Sequence, residues 1–385
     1  MKQNSLKILM MITLTAFSVT SCNDVQFAKN PELNCQSSGQ NCVTGDGIDT
    51  FSYQVKVGFK KLDILFVNDN SASMSYEQAR LASRFQNFIE ELDSKGYDYR
   101  IAMTTTDISG TDNPARSVNQ NGALQDGKLI TFGNGQTYLT PQSGSQGDRV
   151  TWFNSAINRP ETLACEQFIT NWVNSGKSIQ TSDYSNQYYT NCPSGDERGL
   201  FAASLSIKNA PFARADGHLA MIILSDEDVR SQLYPPYSNN GLALAGEDQP
   251  EYVISTFNSI FNTLKSLAIH SIITAKSSCL AEQNTQTAGL VKGSYGYKYA
   301  EASQMTKGGQ IIDICNSNYT TQLGAIEDAI AEELKIVNLY CANATEIKIN
   351  GQLVSSPQLS GASLTLPQTL TSGTQITLSY KCPSL

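Results

Sequence analysis

Only two of the 385 residues are histidine. His218 precedes an apolar strand pattern and His270 lies inside one, so both read as structural. The side chain that most often serves as a general base near neutral pH is thereby removed from consideration. No G-x-S-x-G, H-E-x-x-H or G-x-x-x-x-G-K-[ST] sequence occurs, so nucleophile-elbow, zincin and P-loop chemistries have no carrier. C-x-x-C spacing is absent, and zinc-ribbon and thioredoxin-type sites go with it. No apolar run reaches the roughly 20 residues that a spanning helix needs. Positive charge is also short: 27 Lys and Arg stand against 35 Asp and Glu, a formal net charge of -8. That balance opposes nucleic acid and anionic lipid surfaces as partners.

What is present begins with an export signal. Lys2 and Lys7 precede a mostly apolar run of about 12 residues from Ile8 to Val19, and Val19-Thr20-Ser21-Cys22 follows with small residues at the cut. A cysteine placed directly after small residues resembles the bacterial lipobox, which implies that Cys22 is lipidated. The expectation is a cell-envelope protein whose membrane contact is its lipid anchor alone. Asn23 rather than Asp after the cysteine points, within that sorting pattern, to the outer membrane. Without residues 1–22 the net charge becomes about -10.

Assigning Cys22 to lipid leaves Cys35, Cys42, Cys165, Cys192, Cys279, Cys315, Cys341 and Cys382. An even remainder in an exported chain predicts four disulfides. Pairing neighbours in sequence (35 with 42, 165 with 192, 279 with 315, 341 with 382) is one of about 105 connectivities.

About 360 mature residues exceed one ordinary core, which predicts a large domain and a smaller one. Residues 23–55, polar and Gly-rich at first, read as a tether. From Leu62 an unbroken apolar run, Ile64-Leu65-Phe66-Val67, predicts a strand buried on both faces. Leu81, Ala82, Phe85, Phe88, Ile89 and Leu92 then recur at helical spacing, and Gly96 ends the helix. Strands near 99–104, 219–224, 269–274 and 310–314 alternate with helices around Val253–Leu264 and Leu323–Leu334. Such alternation predicts an α/β fold: a doubly wound, mostly parallel sheet flanked by helices over 56–337. The stretch of about 109–192 breaks the rhythm and reads as a surface insertion with a single helix from 161 to 173. After Tyr340, residues 338–385 predict a small all-β module, with an Asn350-Gly351 hairpin and a strand at 375–380.

The chemistry concentrates where the first strand ends, in Asp69-Asn70-Ser71-Ala72-Ser73-Met74. A carboxylate and two hydroxyls on one tight loop at the C-terminal edge of a parallel sheet offer hard oxygen ligands where such folds bind ligands. The strand Leu219–Leu224 likewise ends in Ser225-Asp226-Glu227-Asp228.

This D-x-S-x-S sequence, with Asp63-Ile64-Leu65-Phe66-Val67 before it, resembles the metal-ion-dependent adhesion site of von Willebrand factor A and integrin I-type domains. The resemblance implies that Asp69, Ser71 and Ser73 hold a divalent cation and that Asp226 reaches it, usually through water. The family's threonine has no counterpart in Cys192-Pro193-Ser194-Gly195-Asp196-Glu197-Arg198-Gly199. Alignment on the following small-residue helix puts Glu197 in its place, as in integrin β-type domains, with Ser194 in reserve. Thr105, Thr106 and Asp228 are expected on the ligand-binding rim. Mg2+ or Mn2+ is the implied ion, with Ca2+ as an alternative, and an open coordination position would capture a carboxylate from a protein or matrix ligand.

Tyr184, Tyr188, Tyr189 and the Tyr234-Pro235-Pro236-Tyr237 loop are candidate specificity surfaces. The same resemblance implies that the helix over about 321–335 shifts when ligand engages. Two competing classes remain: an envelope scaffold with a structural ion, and a metal-dependent hydrolase, which the lack of His or Lys in the motif loops opposes.

Overall fold

In the computed structural model the described residues are 42–383, apart from 57–60, 109–124, 194–196, 210–211, 231–243, 262–264, 286–292, 317–318 and 368–373. Two short strands, β1 (Cys42–Gly45) and β2 (Ile48–Lys56), open the described chain. β3 (Leu62–Asn68) follows, then a single 3-10 turn at Ala72–Met74, α1 (Ser75–Ala82) and α2 (Phe85–Ser94). β4 (Tyr99–Thr105) and β5 (Tyr138–Leu139) precede three helices: α3 (Gln146–Ile157), α4 (Pro160–Asn174) and α5 (Ser182–Asn191). α6 (Gly199–Asn209), β6 (Gly217–Ser225), α7 (Pro250–Ile260) and β7 (Lys265–Ile273) restore the alternation. It ends with α8 (Ser277–Gln283), α9 (Tyr297–Gln304), β8 (Ile311–Asp313) and α10 (Tyr319–Leu334). The remaining strands are β9 (Ile336–Asn338), β10 (Thr345–Ile349), β11 (Gln352–Leu353), β12 (Gln358–Ser360), β13 (Ser363–Thr365) and β14 (Gln375–Pro383).

The fold is mixed α/β. Six strands form one sheet in the order β5-β4-β3-β6-β7-β8, parallel throughout except for β5 at the edge. Successive residues of β3 point to opposite faces, so one strand feeds two cores. Leu62, Ile64 and Phe66 pack with α1, α2, α3 and α10, while Leu65 and Val67 pack with α6, α7 and α9. Every residue of β3 and β6 is buried, which accounts for their apolar runs. Phe66 sits edge-on to Phe153 at 4.9 Å. Truncating such a side chain to alanine costs about 3–5 kcal/mol.

The antiparallel part forms a five-stranded sheet, β1-β2-β14-β10-β11, and a three-stranded one, β12-β13-β9. Alternate residues Ile376, Leu378 and Tyr380 of β14 enter a third core with Phe51, Ile347 and Leu364. The Asn350-Gly351 turn has φ of 51° and 80°, a pair that favours this dipeptide.

Two expectations need correction. The tether does not extend to residue 55: β2 pairs with β14 over its whole length, from Gln375–Lys56 to Pro383–Ile48. Residues 42–56 therefore belong with the antiparallel sheets. The described part of the insertion holds three helices where one was expected, and their start signals are local: Ser145 and Asp148 make a reciprocal capping box on α3, and Pro160 occupies the first turn of α4. Among the described residues no helix is long and apolar enough to cross a membrane. Residues 1–41, with Cys22 and Cys35, lie outside them.

Candidate metal centre

The parallel register sets β3 and β6 side by side, with Asn68 opposite Leu224. Asp69 N donates to Leu224 O at 3.0 Å, so the residues that follow the two strands emerge together. The chain then turns: Ser71 N donates to Asp69 Oδ1 at 2.8 Å, and the 3-10 turn brings Ser73 back over the aspartate. Ser225 Oγ donates to Asp69 Oδ2 at 2.7 Å, so both carboxylate oxygens accept a hydrogen bond. Ser73 Oγ donates to Asp226 Oδ1 at 3.0 Å, and Ser71 and Ser73 hydroxyls lie 3.0 Å apart. Either hydroxyl can donate in the Ser71–Ser73 contact.

Glu197 arrives from the segment before α6. It forms an isolated antiparallel bridge with Asp107, and Arg198 N donates to Thr106 O at 3.0 Å. Its carboxyl lies against Asp69. Burial first, then Asp69, Glu227 and Asp226, hold the Glu197 carboxyl well above the usual carboxylate range. Asp226 is raised in the same way by burial, Asp69, Glu227 and Glu77. Among the described residues no Lys or Arg pairs with Asp69, Glu197 or Asp226. Four buried oxygens around the cluster have no hydrogen-bond partner: Asp226 Oδ2, Glu197 Oε2, Thr105 Oγ1 and Thr106 Oγ1.

The structure thus brings together Asp69, Ser71, Ser73, Glu197 and Asp226; Thr105, which ends β4, and Thr106 after it are fully buried and so do not form the expected exposed rim. Asp228 requires correction: it is buried rather than on a rim, and its Oδ1 accepts from Lys298 N at 2.9 Å, capping the start of α9. Burial raises it to about 7. Ser194 and the Tyr234–Tyr237 loop lie outside the described residues. Sequence reasoning missed Asp107, which lies two residues past the end of β4 and accepts from Asn70 Nδ2 at 2.9 Å. An acid just after a buried strand was the signal that could have found it.

The surroundings are equally anionic. Half-buried Tyr188 is influenced by Glu227, Glu197 and Asp107, and fully buried Tyr299 by Glu197 and Asp69; desolvation is the main cause that pushes both phenols up. Gly199 N donates to Tyr299 Oη at 3.2 Å, and a Cβ on Gly199 would come within 2.7 Å of that oxygen. Any larger residue two positions after Glu197 would have to displace the Tyr299 ring.

Disulfides join Cys165 to Cys192, Cys279 to Cys315 and Cys341 to Cys382. Cys42 is disulfide-bonded as well. Asp313 lies beside Cys279 and Cys315, but those sulfurs are bonded to each other and offer no thiolate to a metal.

No protein-family model matches the chain. No curated protein matches it in sequence. Similar solved structures include the pilus adhesin SpaC from Lactobacillus rhamnosus GG, at 12% identity and TM-score 0.32, covering 88% of this chain and 42% of that one. A von Willebrand factor type A protein from Catenulispora acidiphila is 10% identical, with TM-score 0.32, covering 87% of this chain and 60% of that one. Proximal thread matrix protein 1 from the mussel byssus is 11% identical, with TM-score 0.32, covering 74% and 48%. The chain thus spans less than two thirds of the length of each of these structures.

Proposed function

We propose that this chain is a divalent-cation-dependent binding lipoprotein of the adhesion type, not an enzyme. Its α/β part is read as a doubly wound von Willebrand A-type domain and its antiparallel sheets as a separate β module. The observation that carries this reading is a charge imbalance: three buried carboxylates converge at the strand ends with hydroxyls for neighbours, and among the described residues no Lys or Arg pairs with them. A buried, uncompensated charge costs several kcal/mol, and a cluster of this kind is relieved either by protonation or by a bound cation.

The donor set fits a hard cation, being entirely oxygen. Ser71, Ser73, Asp226 and Glu197 would hold Mg2+ or Mn2+, with Ca2+ as the alternative, and the Thr105 or Thr106 hydroxyl would complete the set. Asp69, whose two oxygens already accept hydrogen bonds, would orient the loop as well as supply charge. A bound ion would supply a Lewis-acidic point that takes an oxygen, such as a carboxylate, from a protein or matrix partner. Val19-Thr20-Ser21-Cys22 supports export and lipid attachment, for which the outer membrane is the proposed destination.

Calorimetric titration of Mg2+ and Mn2+ into the disulfide-intact protein tests the reading. Binding that disappears in Asp69→Ala and Asp226→Asn supports it, and no binding to the parent overturns it. A second reading, a scaffold with a structural ion, is favoured by depth: Asp69 and Asp226 are fully buried and Ser71, the most exposed of the set, reaches only 8%. Under that reading, a cation that stabilises the protein would give it no affinity for immobilised matrix proteins.

A further inference from the structure

The inserted helices reach the proposed cation site from the side. Thr162, in the first turn of α4, donates from Oγ1 to Asn70 O at 2.8 Å and accepts from Gln78 Nε2 at 3.2 Å. Gln78 Nε2 also donates to Asp69 O at 2.8 Å, and Gln78 Oε1 accepts from Arg159 N at 3.0 Å. Asn70 Nδ2 spans to Asp107 Oδ2 at 2.9 Å and Glu161 Oε1 at 3.3 Å, and Arg159 Nε holds that same Glu161 oxygen at 2.7 Å. Each backbone carbonyl of Asp69 and Asn70 is thus tied to α4 or to a side chain that α4 orients.

One turn further along α4, Cys165 packs with Ile169, Cys192 and Ala72 in a small core of its own. Ala72 is the residue between the two hydroxyl ligands. The Cys165–Cys192 bond, with Cα atoms 4.6 Å apart, pins the end of α5 against this core. The side chains of α5 are mostly exposed, and Tyr184 and Tyr188 continue an aromatic series that starts at Phe168 and Trp172 of α4. Cys192 N donates to Tyr188 O at 2.8 Å, so the disulfide also holds this half-buried tyrosine at the end of α5.

We propose that the Cys165–Cys192 disulfide is a positioning element of the cation site: it clamps α5 onto α4 and so sets the serine loop through Ala72. This rests on the reading of the site as cation-binding. The other two described disulfides are differently placed. Cys341–Cys382 lies among the antiparallel sheets, and Cys279–Cys315 joins α8 to the end of β8. Groups that orient metal ligands typically change metal affinity by about 10- to 100-fold when removed.

The full-length protein is compared with Cys165→Ala/Cys192→Ala, with Cys341→Ala/Cys382→Ala as the control for general loss of stability. Mn2+ affinity is read by calorimetry, and the water count on bound Tb3+ by its luminescence lifetime in H2O and D2O. The expected result for the first pair is affinity at least about tenfold weaker and more water on Tb3+, as serine ligands withdraw. The control should melt lower yet keep both values. Thr162→Val retains the disulfide and removes the hydroxyl that bonds both Asn70 O and Gln78 Nε2, so it reads the hold of α4 on the serine loop if the cysteine variant does not fold; about tenfold weaker Mn2+ binding is expected. Unchanged affinity and water count in the variants overturn the proposal, as does an equal loss in the control. A parent protein that binds neither ion overturns the reading of the site itself.

Discussion

Strand β3 carries a buried aspartate near each end, and the two are compensated in opposite ways. At its start, Asp63 receives Lys265 Nζ at 2.7 Å and Arg214 Nε at 2.9 Å, with the Arg214 amide adding a third bond at 2.7 Å. Just past its end, Asp69 meets Ser71 N and Ser225 Oγ, and its charged neighbours are Glu197 and Asp226. The first carboxylate has its counter-charges built into the chain. The second leaves a cluster of three acids to be neutralised from outside, by protons or by a metal ion. The end of the sheet supplied with fixed cations is part of the framework, whereas the end without them depends on its environment. The same contrast recurs across the site, where Asp248 takes Arg198 at 2.6 Å and Arg230 at 3.5 Å.

The largest effect separating the two ends should come from Lys265→Met. Breaking a buried pair strands its partner and costs about 3–5 kcal/mol, towards the lower figure because Arg214 stays with Asp63. Urea unfolding should show this loss equally in Mg2+ and in chelator; a loss that cation restores would erase the distinction. Next in size is the response of the other end. Mn2+ at about 100 times its Kd should stabilise the parent by about 2.7 kcal/mol. Asp226→Asn should abolish that gain while raising stability in chelator, because it removes one of the mutually repelling acids.

The smallest effect is pH dependence, and its sign discriminates. Glu197 and Asp226 are raised in the folded protein and Asp228 lies at about 7. A raised carboxyl contributes stability that is fully present below its unfolded value and is lost as pH rises through the folded one. Without cation, the melting temperature should therefore fall between about pH 5 and 8. Saturating Mn2+ should flatten that fall, because binding holds the carboxylates in the charged form. Thermal melts at several pH values, with and without chelator, measure it; a rise without cation would overturn the expected sign.

Much of the sheet was legible from the chain alone. β3 and β6 are buried on both faces, so their apolar runs need no partner to be recognised, and β14 announces its inner face through Ile376, Leu378 and Tyr380. The Asn350-Gly351 turn and the Asp69, Ser71, Ser73 loop are equally local signals. The insertion was under-read although Ser145, Asp148 and Pro160 mark helix starts, because its polar composition masks the short apolar stripes. Residues 42–56 were misread for a different reason. Their partner β14 lies more than 300 positions away in sequence, and no local pattern carries that pairing.

By itself the sequence determined which segments become strands and helices, and it placed oxygen-bearing side chains at two strand ends, because backbone preference and apolar periodicity act over a few residues. Only the tertiary structure decided that Asp107 and Glu197 bridge, that Tyr188 comes under the influence of the acids, that Asp228 caps a helix instead of lining a rim, and that no lysine or arginine among the described residues pairs with Asp69. Charge compensation depends on distance in space, and a parallel sheet with crossovers brings together side chains that the chain holds more than a hundred residues apart.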